Sequence, residues 1–596
     1  MNAIRMLSRR RPLLTSHGSR RLLDVATRSR QPARFAFVGS STPETETGSS
    51  SSDSSPGTKF TPRETLLTLA IETSCDDTCV ALVEKERGPG GAARVLFHQR
   101  ATADNSMFGG INPLPTLESH TALLAKMVRS AVNALPQDAA TGNSSFSTAF
   151  TRSKPDSSIP RRLPDFVSVT RGPGMAAALS VGLSTAKGLA VAWKVPLVGV
   201  HHMQAHLLTP RLMSAMRKPF YEWEKERAAL TREAFVSEKE EKSGSLKKAR
   251  SSQSDPKAQD PKEYDWPRYP FFTLLVSGGH TMLMRSKNLV QHSTVAEVEG
   301  FAAGDALDKC ARAILPPKYQ GKTSSFGQLL EEFVFPKNLK DYSSVYRAPR
   351  NRAEHSSTVS PRRRVLMDRA AERRSPLNII YTEENGPRYP WALKPMMAES
   401  REMKYAFGGL LDQVLRIVKE RTAAGAFDLE ERRVLGYETM RIMFEHLASR
   451  VVLSLTSYRD SSRKKNPGQG PTAARLLMSG GVASNKFLRY VVRSMLEAYH
   501  FNPVQVIGPP PHLCVDNAAM IGWAGLEMFE EGFTTDLGVL PKKKWSLDHK
   551  VEGGILGSGD SPTSPYDGWI HNSMPTVKDD KMANVVNVIG HRQKDD

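Results

Sequence analysis

Two stretches of this chain repeat one plan. In FFTLLVSGGHTMLMR (271–285) an apolar run breaks at Ser-Gly-Gly and a second apolar run follows. In ARLLMSGGVASNKFLRYVVRSMLEAYHF (474–501) an apolar run again ends at Ser-Gly-Gly, but opens into a segment where Phe487, Leu488, Val491, Val492, Met495 and Leu496 keep helical spacing. An apolar run that stops at adjacent glycines reads as a buried strand and a tight turn, because glycine takes positive φ without steric cost. The repetition predicts an α/β chain built from two related lobes. Paired glycines also let backbone N–H groups approach a phosphate, so both turns are candidate nucleotide cradles, with plain tight turns as the alternative.

Other segments carry polar groups at the ends of apolar runs. LLTLAIETSCDDTCVALVE (66–84) reads as a hairpin with Asp76 and Asp77 at its tip. VTRGPGMAAALSVGLSTAKGLAVAW (169–193) places the turn Gly172-Pro173-Gly174 before a helix of small residues, and a helix N-terminus after such a turn favours anions. HHMQAH (201–206) spaces His202 and His206 four apart, on one face of a helix, where two imidazoles can share an ion. In CVDNAAMIGWAGLEMF (514–529), Asp516 opens an apolar helix, either as its N-cap or as the carboxylate that completes a two-His, one-Asp metal site.

Composition narrows the class. The four cysteines, Cys75, Cys79, Cys310 and Cys514, form no C-x-x-C pair, which argues against a zinc finger and against a disulfide framework. No apolar run of about 18 residues is free of charge; the best candidate is interrupted by Lys187 and Lys194, so no membrane span is expected. The formal charge of +20 points to an anionic partner such as nucleic acid. The first forty residues hold nine Arg, no Lys and one acid, Asp24, which is the pattern of a mitochondrial transit peptide. A Ser/Thr/Glu linker follows. Residues 1–60 carry +6, so +14 remains without them.

Segments around 138–162, 213–266, 340–375 and 458–471 are charged and poor in apolar residues, and read as insertions on the surface. The expected organisation is therefore a presequence and linker (1–60), a first lobe (61–212, completed by about 503–545), a charged insertion (213–266), a second lobe (267–502, with an insertion at about 340–375) and a peripheral tail (546–596).

Taken in order, IETSCDDT, RGPGMAAALSVGLSTAKGLA, HHMQAH, LLVSGGHT, GDALDKCAR, LLMSGGVASNKFLR and CVDNAAMIGWAG resemble the universal tRNA threonylcarbamoyladenosine transferase family, Kae1/Qri7/TsaD. The basic N-terminus makes the chain similar to the mitochondrial branch. The resemblance implies an ASKHA fold, the actin, sugar-kinase and Hsp70 architecture of two ribonuclease-H-like lobes with nucleotide and metal in the cleft. It implies transfer of a threonylcarbamoyl group from threonylcarbamoyl-AMP to N6 of the adenosine beside the anticodon in tRNAs reading ANN codons. By the same resemblance, His202, His206 and Asp516 hold one divalent metal ion per subunit, zinc or iron. Leu275, Val276, Ser277, Gly278, Gly279, Asp308, Gly327 and Asn485 bind the adenylate. Asp76 and Asp77 are the candidates for handling the N6 proton. His201 stands where the family has Asn and is not assigned as a ligand. Gly300 and Phe301 replace two family acids, Asp305 replaces Glu, Asp77 stands where bacterial members have Glu, and YAFGGLLDQ departs from the family's FSFSGLKT. The implied partners are tRNA, a Sua5/YrdC-type synthase that supplies the threonylcarbamoyl-AMP, and a second copy of the chain in a homodimer in the mitochondrial matrix.

Three other classes compete. A zincin protease needs H-E-x-x-H, and Met203 occupies the position of the glutamate. A kinase of the same fold would handle its nucleotide with carboxylate-bound magnesium rather than with histidines. A non-catalytic tRNA-binding protein would not need the His202/His206/Asp516 set.

Overall fold

The computed structural model describes residues 64–105, 111–137, 161–217, 267–319, 326–335, 342–351, 389–465, 475–551, 553–555 and 569–571. The expected presequence and linker, most of the segment at 138–162, the charged insertion beyond 217 and the basic segment beyond 351 lie outside the described residues.

The chain starts with three strands, β1 (Thr65–Glu72), β2 (Asp77–Glu86) and β3 (Ala93–Thr102), then α1 (Pro113–Asn133), β4 (Phe166–Gly172), α2 (Ala176–Trp193), β5 (Leu197–His201) and α3 (202–217). A second series follows: β6 (Phe271–Val276), β7 (Thr281–Ser286), β8 (His292–Glu299), α4 (Ala303–Ile314), α5 (Phe326–Val334), β9 (Lys404–Ala406), α6 (Gly408–Ala423) and α7 (Leu429–Lys465). Then come β10 (Arg475–Ser479), α8 (Lys486–Ala498), β11 (Gln505–Ile507), α9 (Pro511–Cys514), α10 (Ala518–Glu530), β12 (Phe533–Thr535) and β13 (Trp569–His571).

These strands form two mixed sheets, ordered β13-β12-β5-β4-β1-β2-β3 and β11-β10-β6-β7-β8-β9. Each contains the same five-strand unit. A meander of three antiparallel strands is extended on its first strand by two parallel ones, β4 and β5 beside β1, and β10 and β11 beside β6. The repeated strand-glycine pattern thus corresponds to a repeated topology. The predicted hairpin at 66–84 is the β1–β2 pair, with residues 73–76 at its tip.

Near-continuous apolar runs form the inner strands because both their faces are covered. Leu67, Leu69, Ile71, Val80 and Leu82 pack against α1 and α2, while Leu66, Ala70, Cys79, Ala81 and Val83 pack with α10 on the other face. α10 is buried almost all round, with Trp523 at its centre. Its Gly522 and Gly525 let it sit close to the sheet, since a Cβ at 525 would meet Ser168 Oγ at 2.2 Å. α2 is, by length and composition, the one helix among the described residues long and apolar enough to cross a membrane. Here it lies along β4 with Ala178, Leu179, Gly182, Leu183, Ala186 and Ala190 buried.

Several boundaries read from composition are corrected. Residues 458–465 are not loop but the last two turns of α7, where the Tyr458 ring packs 5.6 Å from Phe272 and under Arg285. Charge on the outer face of a helix lowers its apolar content without unfolding it. Within 342–351, Val345, Tyr346 and Ala348 are core residues, and Tyr342 packs on Phe487. Strand β11 belongs to the second sheet, whereas composition places 503–545 with the first lobe. The tail beyond 545 is not wholly peripheral, because Leu547, Ile555 and Trp569 are buried and β13 closes one edge of the first sheet.

Candidate metal and nucleotide site

His202 and His206 occupy the first turn of α3, directly after β5, and both are buried. Their rings lie 4.7 Å apart and edge to face. Asp516 is brought to them from 310 residues away: its Oδ1 lies 3.1 Å from His206 Nε2 and 3.5 Å from His202 Nε2. Among the described residues these three form the one set of His, Cys, Asp and Glu donor atoms gathered closely enough to hold an ion, all within 4.8 Å of one another. Asp516 is free for this because the cap of α10 is its neighbour Asn517, whose side chain accepts from Met520 N at 2.9 Å. The N-cap alternative for Asp516 is thereby resolved in favour of the cluster.

The electrostatics are those of a cation site. Burial alone would disfavour charge on His202 and Asp516, yet the carboxylates of Asp516 and Glu72 push His202 up to about 9, and His202 and His206 hold Asp516 well below the usual carboxylate range. Without an ion, a proton on imidazole supplies the positive charge; a divalent cation between the two Nε2 atoms and Asp516 Oδ1 would supply it instead. The donor set therefore fits a metal. His206 Nδ1, buried and without a hydrogen-bond partner among the described residues, shows that this imidazole is oriented through its Nε2 side.

Glu72 is the residue that sequence reasoning missed. It ends β1, is completely buried, and accepts from Ser74 N at 2.5 Å and from Thr170 Oγ1. Its Oε2 lies 3.3 Å from His202 Nδ1, and Ser74 Oγ lies 3.1 Å from the same nitrogen. Such a partner fixes the tautomer that leaves Nε2 free for an ion. A lone carboxylate closing an otherwise apolar strand was the available signal. His120 was missed as well: it bridges Thr78 Oγ1 and Cys75 O, 2.8 Å from each, and so holds the hairpin tip. His201 is engaged elsewhere, 3.2 Å from Trp545 O and with its ring against Trp545.

Asp76 and Asp77 sit at the hairpin tip but in different settings. Asp77 is buried, accepts from Thr102 Oγ1 and lies 3.8 Å from Arg100. Burial outweighs both of these partners and pushes its carboxyl up to about 6. Asp76 is half-buried, and its main chain accepts from Ala103 N. A raised Asp77 makes the folded protein bind a proton that the unfolded chain has lost between about pH 4 and 6, so stability should fall as pH rises through that window and stay lower above it. For the metal-free protein, Asp77→Asn should therefore melt at a higher temperature than the parent at pH 8, by up to about 3 kcal/mol in stability, with the difference closing towards pH 4. Equal melting curves at both pH values would refute this.

The adenylate candidates divide into two groups. Ser277, Gly278 and Gly279 form the β6–β7 turn, closed by Ser277 N donating to His280 O at 2.8 Å and His280 N donating to Ser277 Oγ at 3.0 Å. A Cβ on Gly278 or Gly279 would meet nothing within 4 Å, so this turn has an open face. Asp308 and Gly327 are brought together, Gly327 N donating to Asp308 Oδ1 at 2.6 Å. Leu275 and Val276, by contrast, bury their side chains in the core on opposite faces of β6 and offer a ligand only backbone. Asn485 caps α8, its Oδ1 accepting from Leu488 N at 2.9 Å. His280 was not singled out; burial, with the charges of His202 and His206 adding to it, pushes it down to about 4. At the altered family positions, Lys309 lies over the Phe301 ring and pairs with Asp305 at 2.8 Å.

The second Ser-Gly-Gly turn abuts the first. Gly480 has φ +90°, and a Cβ there would lie 2.4 Å from Val276 O. Gly480→Ala combines left-handed strain with a backbone clash and should cost at least about 2 kcal/mol of stability, read from the denaturant midpoint. An unshifted midpoint would contradict the tight packing of these strand ends.

Comparison with known proteins accords with this geometry. The family TsaD, tRNA N6-adenosine threonylcarbamoyltransferase, matches residues 151–221 and 368–523. The chain is similar to the TsaD family over these two segments, which include His202, His206 and Asp516. A mitochondrial tRNA N6-adenosine threonylcarbamoyltransferase of Schizosaccharomyces pombe is 28% identical over 505 residues, covering 83% of this chain and 90% of that protein. The tRNA N6-adenosine threonylcarbamoyltransferase of Novosphingobium aromaticivorans is 25% identical, covering 81% and 97%. Among solved structures, full-length HypF in its phosphate- and nucleotide-bound form is 11% identical over 78% of this chain and 46% of its own, with a TM-score of 0.29, too slight a likeness to bear on the fold. The similarity to TsaD fits an ASKHA-like α/β architecture with mixed sheets.

Proposed function

We infer that this chain is a mitochondrial tRNA N6-adenosine threonylcarbamoyltransferase, which moves the threonylcarbamoyl group of threonylcarbamoyl-AMP onto N6 of the adenosine beside the anticodon in tRNAs reading ANN codons. The observation that carries this in the structure is the buried His202/His206/Asp516 cluster, in a chain that also presents an open Ser-Gly-Gly turn at 277–279. The relatives' names supply the reaction.

In that reaction N6 attacks the carbamoyl carbon, the bond from that carbon to the phosphate oxygen breaks, AMP leaves and N6 loses a proton. The anhydride is already activated, so the protein's task is to orient the amine and stabilise the departing AMP. His202, His206 and Asp516 would hold the metal, zinc or iron by their donor types. When bound, such an ion supplies Lewis-acid polarisation of the carbamoyl group. The open backbone of Ser277-Gly278-Gly279 is suited to the phosphate, and Asp308, anchored by Gly327, to the adenosine. Asp76, half-buried at the hairpin tip, is better placed to take the N6 proton than Asp77, whose carboxylate is engaged by Thr102 and Arg100.

The repeated strand order supports taking the two sheets as the two ribonuclease-H-like lobes of the ASKHA fold, with this site in the cleft. A homodimer and a separate synthase that delivers threonylcarbamoyl-AMP complete the proposal, on the family resemblance alone.

The test is mass spectrometry of nucleosides from an unmodified ANN-reading tRNA incubated with the full chain and threonylcarbamoyl-AMP. Appearance of threonylcarbamoyladenosine supports the assignment; its absence with metal-loaded protein and bound tRNA refutes it.

A further inference from the structure

The stretch LGVLPKKKWSL (537–547) contains three lysines and no acid. It follows β12 in a part of the chain to which the sequence motifs assign nothing. Its backbone is fastened to the end of β4: Lys542 N donates to Arg171 O at 2.8 Å, and Lys543 O accepts from Gly174 N at 3.3 Å. Arg171 Nε donates to Leu540 O at 3.2 Å, and Lys187 Nζ to Val539 O at 2.6 Å. On the far side the Trp545 ring is buried against His201, and its indole nitrogen donates to Gly554 O at 3.1 Å. The Lys542 Nζ and the Arg171 guanidinium lie 5.0 and 5.2 Å from the Trp545 ring centre.

The lysines are thus carried on a clamped segment, with main-chain groups spent inward. Lys543 and Lys544 are exposed, and among the described residues neither makes an ion pair.

Their position links them to the site. Gly174, bonded to Lys543 O, approaches Ser74 so closely that a Cβ would meet Ser74 O at 2.6 Å, and Ser74 Oγ lies 3.1 Å from His202 Nδ1. Lys543 is therefore joined to the metal cluster through Gly174 and Ser74. The adjoining first turn of α2 has no side-chain cap and no acid, so its dipole adds to the positive potential there.

We propose that Lys543 and Lys544 are a docking surface for backbone phosphates of the tRNA arm whose adenosine enters the site. This rests on the transferase assignment and adds to it where the substrate lies. Phosphate contacts of this kind set orientation rather than sequence preference, which suits an enzyme that must accept several tRNAs. The clamped backbone matters because a mobile lysine would supply charge without fixing the approach.

The experiment compares the full chain with Lys543→Ala/Lys544→Ala and Lys543→Arg/Lys544→Arg, measuring the dissociation constant for unmodified tRNA at several salt concentrations, the thermal midpoint and threonylcarbamoyladenosine formation. Lacking two ammonium groups that would neutralise phosphates, the alanine variant should bind about 10-fold more weakly near 0.1 M salt, and its salt slope should fall by about 1–2, with an unchanged midpoint. The arginine variant should keep the parent's affinity. Unchanged affinity and slope in the alanine variant, alongside an active parent, would overturn the docking role and leave the transferase assignment standing. Slower turnover at saturating tRNA with unaltered affinity would overturn it too, by assigning the lysines to chemistry. A parent that neither binds nor modifies tRNA would overturn the transferase assignment itself.

Discussion

His202→Ala/His206→Ala is expected to lose its bound metal entirely and to form threonylcarbamoyladenosine roughly 100- to 1,000-fold more slowly than the parent, the range seen when a preorganised electrostatic group is removed from a reacting centre. Two of the three donors gathered within 4.8 Å are deleted, and Asp516 alone, partly open to solvent, cannot hold an ion against water. The loss should be in turnover and in metal content measured by elemental analysis, while tRNA affinity should persist if the proposed docking on Lys543 and Lys544 holds the phosphates. Retention of both metal and rate in the double variant would remove the histidines from the site.

The second large effect is expected just behind the first histidine. Glu72→Ala takes away the acceptor on His202 Nδ1, so the ring is no longer held in the tautomer that presents Nε2. Metal affinity should drop about 10- to 100-fold, as measured by competition with a chelator of known strength. Glu72→Gln keeps an oxygen at the same place without the charge, and with Ser74 Oγ still 3.1 Å from Nδ1 it should recover part of that affinity. A role confined to packing predicts something different: both variants would lose stability in proportion to buried volume, with the affinity of the folded protein unchanged. Glu72 also shows why the loss will not be local. It is fully buried and ties β1 to Ser74 and Thr170, and His202 draws its carboxyl below the ordinary value in spite of burial, so its removal leaves the buried His202 with Asp516 as its one neighbouring carboxylate among the described residues.

What could be read from the chain in advance follows from the range of the forces involved. Hairpin, glycine turn and helix periodicity are local: β1–β2, β6–β7 and α8 come from residues adjacent in sequence, and the His202/His206 pair shares a helix turn whatever else the chain does. Motif order then pointed to the TsaD family, because seven short segments in one succession specify more than any of them alone.

The surface segments were harder. Charge density made 458–465 and 342–351 look like insertions, yet Tyr458, Val345 and Tyr346 each face a core that only the folded chain assembles. For the same reason Leu275 and Val276, which stand in a ligand motif, turned out to contribute side chains to packing.

The sequence by itself determined the α/β class, the doubled strand-glycine unit, the resemblance to the TsaD family and the spacing of the two histidines. Only the tertiary structure took the cap role from Asp516, because a cap and a ligand look alike until Asn517 is seen to take the cap and His206 is seen beside the carboxylate. It likewise decided that Glu72 stands behind His202 and that the 542–544 lysines are fastened to the turn beside Ser74. Each of these depends on residues 100 (Ser74 and Gly174) to 371 (Arg171 and Lys542) positions apart meeting within a few ångströms. No periodicity or spacing encodes such a meeting; it arises when two sheets and the helices between them bury their apolar faces together.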